Sequence, residues 1–85
     1  MKIGYKPQFI RQFNKLPKNL QEETLEKIEL FKNTSNHKAL KVHKLHGQFA
    51  SCYSFSVNYK YRIIFNYATK KEANILAIGD HDIYT

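Results

Sequence analysis

The sequence predicts an α+β domain in which an antiparallel-rich sheet is backed on one face by an N-terminal pair of helices. Three observations support this prediction. Apolar residues recur at helical spacing within residues 7–31, alternate with a period of two in residues 49–57, and form a nearly continuous β-branched and aromatic run in residues 61–67. The resulting order is βααβββ, with helices early and strands late, in a single domain over residues 1–85.

Two short helices are predicted to follow a first strand over residues 2–6. Pro7 suits the first turn of a helix, because its missing N–H costs nothing there, and Pro17 separates the two helices. The second helix is predicted to begin near Asn19, with Glu22 completing a capping box. The apolar residues expected to pack on the sheet are Leu20, Leu25, Ile28 and Phe31 in the second helix, and Phe9, Ile10, Phe13 and Leu16 in the first.

The later strands contain one unusual residue, Arg62. A strand from Phe49 is predicted to have one buried face, whereas residues 61–67 indicate a central strand covered on both faces. Residues 74–78 indicate the last strand, and residues 37–47 a basic loop that leads into a short strand. A buried charge needs a partner, so Arg62 is expected either to pair with a carboxylate or to face a site where an anion binds.

The charge of the chain is strongly positive and unevenly distributed. The net charge is +7, and without residues 19–33 the chain keeps twelve basic and only three acidic residues. Such a domain suits a polyanion such as nucleic acid, although a solvated basic surface or an acidic protein partner would also explain the charge. Cys52 is the single cysteine, which indicates a reducing compartment. Because the sequence has no signal peptide and no apolar run near the ~20 residues of a membrane span, we expect a soluble cytoplasmic protein.

The residue types favour acid–base chemistry over metal or cofactor chemistry. The sequence has four histidines but no metal motif, no glycine-rich phosphate loop and no nucleophile elbow, so we expect no metal, cofactor or small-molecule substrate. Histidines beside an arginine are equipped for RNA cleavage: a base deprotonates the 2′-hydroxyl, a cation stabilises the phosphate, and an acid protonates the leaving 5′-oxygen. The alternative interpretation is that His37 and His46 are surface residues and that His81 caps a strand.

Four segments resemble the RelE/ParE superfamily of bacterial toxins, particularly its YafQ-like branch. They are His43-Lys44-Leu45-His46-Gly47, Tyr53-Ser54-Phe55-Ser56-Val57, Tyr61-Arg62-Ile63-Ile64-Phe65 and Ile78-Gly79-Asp80-His81-Asp82-Ile83-Tyr84. The resemblance implies a RelE-like fold and a ribosome-associated endoribonuclease that cuts mRNA by metal-independent attack of the 2′-hydroxyl. It also implies neutralisation by a co-expressed antitoxin, and we expect the toxin alone to be a monomer.

The resemblance also implies roles for individual residues. His43 and His81 match active-site histidines of YafQ-like members, and Arg62 matches the arginine that holds the phosphate in RelE-like members. Tyr84 lies where relatives place an aromatic residue that stacks on a base or assists proton transfer. The residues expected to contact RNA around these positions are Lys41, Lys44, His46 and Lys60.

Two other functions remain open at this point. One is a ParE-like toxin that acts on DNA gyrase without a catalytic constellation, and the other is a non-catalytic basic module that binds an acidic protein. His43 and His81 argue against a module that only binds. Ser54 and Ser56 stand where RelE itself has lysines, which favours a mechanism centred on histidines. We expect both histidines and Arg62 to converge on the sheet face opposite the helices.

Overall fold

The computed structural model describes residues 1–80 and has the predicted α+β architecture. The elements in this range are β1 (Lys2–Tyr5), α1 (Pro7–Asn14), α2 (Lys18–Phe31), β2 (His43–Lys44), β3 (Tyr53–Ser56), β4 (Arg62–Thr69) and β5 (Glu72–Gly79). Neither helix is long and apolar enough to span a membrane.

All five strands belong to one sheet, in the order β1-β5-β4-β3-β2. β1 runs parallel to β5, while the other neighbouring strands are antiparallel. The prediction of an antiparallel-rich sheet is therefore confirmed, with β2 as a further strand of two residues at one edge. β5 is longer than the predicted residues 74–78, because its first residues pair with both β1 and β4.

The strand predicted to start at Phe49 starts at Tyr53 instead. Gly47 has a φ angle of +68°, which only glycine adopts freely, and residues 47–49 form a short 3₁₀ turn. The amide of Cys52 donates to the carbonyl of Phe49 at 2.8 Å, and the amide of Leu45 donates to the carbonyl of Cys52 at 2.9 Å. These bonds close a loop between β2 and β3, so residues 49–51 belong to the loop and not to a strand.

The first residues of both helices agree with the sequence prediction to within one residue. α1 begins at Pro7, as predicted, and α2 begins at Lys18 after Pro17. The predicted capping box of Asn19 and Glu22 was wrong, because Pro17 is the N-cap residue and no side chain caps this helix. The backbone of Pro17 is extended, with a ψ angle of 152°, and α2 starts at the next residue, Lys18, one position earlier than predicted.

Two apolar residues predicted to be buried are exposed. Leu25 is 52% exposed and Ile10 is 45% exposed, whereas Thr24 is completely buried. In α2 the residues that face the sheet are spaced by three or four positions and are Leu20, Thr24, Ile28 and Phe31. Leu25 lies about 100° around the helix from Thr24, so it faces solvent.

Phe31 is the centre of the contact between α2 and the sheet. Its fully buried ring stacks on Phe55 of β3 with a centroid distance of 4.5 Å and meets the edge of Phe65 of β4 at 4.6 Å. Burying one such side chain contributes about 1.5–3 kcal/mol, and each aromatic pair adds about 0.5–1.5 kcal/mol. This cluster fixes α2 on one face of β3 and β4 and leaves the other face for a site.

Candidate functional site

Residues from three neighbouring strands share the sheet face opposite α2. His43 of β2 pairs with Ser54 of β3, and Ser56 of β3 pairs with Arg62 of β4. Paired residues point to the same face, and so do residues two apart on one strand. His43 and Arg62 therefore lie on one face with Ser54 and Ser56 between them. The spacing between strands and the rise per residue give a distance of about 12 Å between the Cα atoms of His43 and Arg62.

The middle of this face is buried, although it lies on the side of the sheet away from Phe31 of α2. Ser54 is completely buried, and its partner Ile64 is 4% exposed. A cavity of about 220 Å³ lies beside Ile64 and is lined by Gln8, Phe49, Cys52, Leu76 and Ala77. The β2–β3 loop thus covers part of this face.

The ring of His43 is held in one tautomer by the main chain. The side chain is exposed, and its Nδ1 lies 2.8 Å from the carbonyl oxygen of Lys41. A carbonyl oxygen only accepts hydrogen bonds, so we assign the proton to Nδ1. In the neutral ring the lone pair is then on Nε2, which makes Nε2 the atom that can accept a proton from a substrate.

Lys41, which supplies this carbonyl, has an unusual backbone conformation. Its φ angle is +60°, and it is the only residue other than glycine with a positive φ among residues 1–80. The left-handed conformation costs a residue with a Cβ roughly 1–2 kcal/mol. Backbone strain of this kind occurs preferentially at functional sites.

Arg62 is half-buried and holds the turn between β3 and β4. Its Nη1 donates to the carbonyl oxygen of Asn58 at 2.9 Å and to those of Tyr59 and Tyr61 at 3.3 Å each. The sequence predicts that Arg62 either pairs with a carboxylate or faces an anion site. The structure adds a third kind of partner, because main-chain carbonyls also stabilise the cation. The bonds to the turn use Nη1 alone, so they do not consume the hydrogens on Nε and Nη2.

Asn58 organises the same turn from the other side. Its Oδ1 accepts hydrogen bonds from the amides of Lys60 at 2.9 Å and Tyr61 at 2.8 Å. Its Nδ2 donates to Oε1 of Glu23 in α2 at 2.7 Å. Arg62 and Asn58 together satisfy carbonyls and amides of the turn and connect it to α2, so the guanidinium has a defined position.

The four residues expected to contact RNA are all exposed, but they do not form one group. Lys44 pairs with Tyr53 and, by the alternation of the strand, points to the face opposite His43. Lys60 belongs to the turn beside Arg62, and its Nζ lies 5.7 Å from the centre of the Tyr61 ring.

The other two proposed catalytic residues, His81 and Tyr84, lie outside the described residues. The last strand ends at Gly79, which pairs with Arg62. His81 follows Gly79 by two positions in the sequence.

His37 is not the free surface residue suggested by the alternative interpretation. Its ring stacks on Phe31 with a centroid distance of 4.7 Å and an interplanar angle of 9°. Its Nε2 lies 2.8 Å from the carbonyl oxygen of Phe31. His37 therefore has a structural role at the end of α2.

A second basic surface lies at the other end of β4. A cavity of about 650 Å³ there is lined by Met1, Lys2, Lys32, Asn33, Thr34, Lys70, Lys71 and Glu72. Lys32 forms an ion pair with Glu29 at 2.9 Å, and this bond raises the pKa of Lys32. Arg62 and Thr69 are seven residue steps apart along β4, which places this surface roughly 23 Å from Arg62.

The sequence prediction missed two residues of the β3–β4 turn. The sequence prediction gives Asn58 no role, although asparagine side chains commonly bond the main chain two residues on. Tyr59 is 90% exposed, more than any other large apolar side chain in residues 1–80. The alternation of polar and apolar residues gives no signal for either, since both lie outside the strands.

Comparison with known proteins identifies the fold. No family model and no curated protein matches the chain. Solved structures match over nearly its whole length, including the Escherichia coli DinJ–YafQ toxin–antitoxin complex (TM-score 0.75, 19% identity, 96% of this chain and 93% of the other). The heterotetrameric YoeB–YefM toxin–antitoxin complex from Staphylococcus aureus matches with a TM-score of 0.73 and 16% identity over 95% and 97% of the two chains.

An archaeal structure extends the similarity further. The RelE–RelB complex from Pyrococcus horikoshii matches with a TM-score of 0.72 and 20% identity over 93% of this chain and 92% of the other. The three matches cover 93%, 95% and 96% of this chain. The fold expected from the sequence resemblance is confirmed, and the chain has the fold of the RelE, YoeB and YafQ toxins.

Proposed function

We propose that this protein is the toxin of a type II toxin–antitoxin system and acts as an endoribonuclease that cleaves mRNA, with the ribosome as the place of cleavage. The observation that carries the proposal is the placement of His43 and Arg62 on one face of a RelE-type fold. A net charge of +7 supports an RNA substrate.

In the proposed mechanism, His43 is the general base. Its Nε2 removes the proton from a 2′-hydroxyl, because Nδ1 already carries a proton directed at Lys41. The 2′-oxygen then attacks the adjacent phosphorus and forms a 2′,3′-cyclic phosphate as the bond to the 5′-oxygen breaks. The proposal assigns protonation of that 5′-oxygen to His81 and assistance at the leaving group or base to Tyr84.

Arg62 is proposed to stabilise the negative charge that develops on the phosphate. A guanidinium is suited to this role because its planar donors match two phosphate oxygens at once. The turn carbonyls bound to Nη1 hold the group in place before substrate arrives, which lowers the cost of organising the site. Lys41, His46 and Lys60 are proposed to contact RNA nearby, and Lys44 to contact RNA from the other side of β2.

A co-expressed antitoxin is the proposed protein partner, and the cytoplasm the proposed compartment. Matching structures are complexes of toxins with YefM, RelB or DinJ. An antitoxin segment that folds on binding would contribute apolar anchors and acidic residues to the basic His43 face.

Expression of the protein without its antitoxin tests the proposal. We expect growth arrest, new RNA 5′ ends within translated messages, and 2′,3′-cyclic phosphate on the upstream fragments. The control is a folded His43→Gln/His81→Gln double variant, which should restore growth and the normal RNA ends. The nuclease proposal would be overturned if that variant were fully toxic and gave the same RNA ends as the wild-type protein. Gyrase-dependent DNA damage by the variant would favour a ParE-like function instead.

A further inference from the structure

The turn between β3 and β4 exposes an aromatic ring that folding does not require. Tyr59 is 90% exposed, whereas Leu25, the next most exposed large apolar residue in the described chain, is 52% exposed. A ring so accessible buries almost no area and contributes almost nothing to the hydrophobic core. Any role of this ring must therefore involve contact with another molecule.

The main chain around Tyr59 is nevertheless well fixed. Asn58 accepts two turn amides through Oδ1 and is connected to Glu23 of α2. Nη1 of Arg62 donates to the carbonyl oxygens of Asn58, Tyr59 and Tyr61. The ring is thus presented to solvent from a base that is already ordered, so a partner would pay little entropy to bind it.

The main chain of Tyr59 also lies next to the proposed phosphate-binding group. The carbonyl oxygen of Tyr59 is 3.3 Å from Nη1 of Arg62. If Arg62 holds an RNA phosphate, the bases of the flanking nucleotides pass within reach of this turn. The neighbouring Lys60 is exposed and adds a positive charge for the RNA backbone.

We propose that Tyr59 is a stacking surface for a nucleobase of the RNA next to the phosphate held by Arg62. This inference rests on the proposed nuclease function and adds a binding residue to it. Exposed aromatic rings bind single-stranded nucleic acid because every base has a π-face, and this interaction is largely independent of sequence. Tyr59 is a residue of RNA binding and has no part in proton transfer.

Fluorescence of a Tyr59→Trp variant gives a direct test, because the chain contains no tryptophan. The variant is made together with His43→Gln and His81→Gln, so that bound RNA stays intact. It is titrated with a ten-nucleotide single-stranded oligoribonucleotide and, separately, with inorganic polyphosphate. We expect RNA, but not polyphosphate, to quench the tryptophan emission. The matched control is Tyr5→Trp at the end of β1, where the native side chain is 43% exposed and where we expect no quenching.

Affinity measurements separate stacking from charge. Fluorescence anisotropy of labelled RNA should show a dissociation constant about 5- to 140-fold higher for Tyr59→Ala, and nearly unchanged for Tyr59→Phe. Log affinity falls as log salt concentration rises. Lys60→Ala should make this slope less steep by about 0.7, and Tyr59→Ala should leave the slope unchanged. On ribosomes programmed with mRNA, Tyr59→Ala should lower kcat/KM for cleavage, and Tyr59→Phe should keep the wild-type value.

The outcomes distinguish this inference from the proposed function. If the wild-type protein neither binds RNA nor cuts mRNA on ribosomes, both proposals are wrong. If the wild-type protein cuts mRNA while Tyr59→Ala binds and cleaves equally well, only the stacking role is overturned. Quenching of Tyr59→Trp by an antitoxin peptide but not by RNA would also overturn it and would assign the ring to the protein partner.

Discussion

The Nδ1 atom of His43 lies 2.8 Å from the carbonyl oxygen of Lys41, a residue whose φ angle is +60°. The main chain of Lys41 therefore combines a left-handed conformation with the acceptor that fixes the Nδ1 tautomer of His43. The side chain of Lys41 has no part in this bond, so its charge can be changed without removing the carbonyl. This separation allows the positioning of His43 and the charge of Lys41 to be tested independently.

We expect Lys41→Asn to keep the fold and the His43 tautomer, because asparagine tolerates the left-handed region better than most residues. Lys41→Val should have a free energy of unfolding roughly 1–2 kcal/mol below that of Lys41→Asn, because a β-branched residue is strained there. Urea unfolding measures the stability, and ring ¹⁵N chemical shifts report which nitrogen of His43 carries the proton. Equal stability of the two variants would show that the conformation of Lys41 is not strained in solution.

His43→Gln should retain the fold, because the side chain is exposed at the edge strand β2. We expect cleavage of mRNA on programmed ribosomes to fall by about 10²–10⁴-fold, the usual contribution of a general acid or base. Lys18→Gln, at the exposed start of α2, is the control for a change remote from this face. A His43→Gln protein that cleaves at the wild-type rate would remove His43 from the mechanism.

His37 and His46 should behave differently when each is changed to alanine. His37→Ala removes the stacking on Phe31 and the hydrogen bond to its carbonyl, so we expect a loss of about 1–3 kcal/mol in the free energy of unfolding. His46→Ala should leave the stability unchanged within about 0.5 kcal/mol, because His46 is exposed. Urea unfolding curves of the two variants measure this difference. Equal stability of the two variants would contradict the structural role of His37.

The turn that holds Arg62 can be weakened without removing the charge. Asn58→Ala leaves the amides of Lys60 and Tyr61 without their acceptor, so we expect a loss of about 1–3 kcal/mol in stability and a lower cleavage rate. Glu23→Gln keeps an oxygen acceptor for Asn58 and should have little effect on either. Wild-type cleavage by a folded Asn58→Ala protein would show that the turn does not position Arg62.

Replacing Arg62 separates its two roles. Arg62→Ala should abolish toxicity by removing the proposed phosphate ligand, and it should also destabilise the turn. Arg62→Lys keeps the charge but loses the planar set of donors, so we expect folded protein with strongly reduced cleavage. Thermal unfolding and RNA 5′-end mapping of both variants measure the two effects. Normal toxicity of Arg62→Lys would show that charge alone is sufficient at this position.

Local patterns in the sequence determined the types and approximate places of the elements. Pro7 and the helical spacing of Phe9 and Phe13 predict α1, and the alternation around Phe55 predicts β3, because these signals depend on backbone geometry within a few residues. The resemblance of short motifs to known toxins predicted the fold correctly and selected His43 and Arg62 as candidate site residues, whose roles stay a prediction.

Tertiary structure alone decided which side chains meet. Thr24 is buried and Leu25 exposed because the rotation of α2 on the sheet depends on the whole cluster around Phe31. The partners of Arg62 are carbonyls of its own turn, and the tautomer of His43 follows from the backbone of Lys41. Such contacts depend on the path of the main chain, and every residue carries the same carbonyl group, so the identity of the side chains could not reveal them.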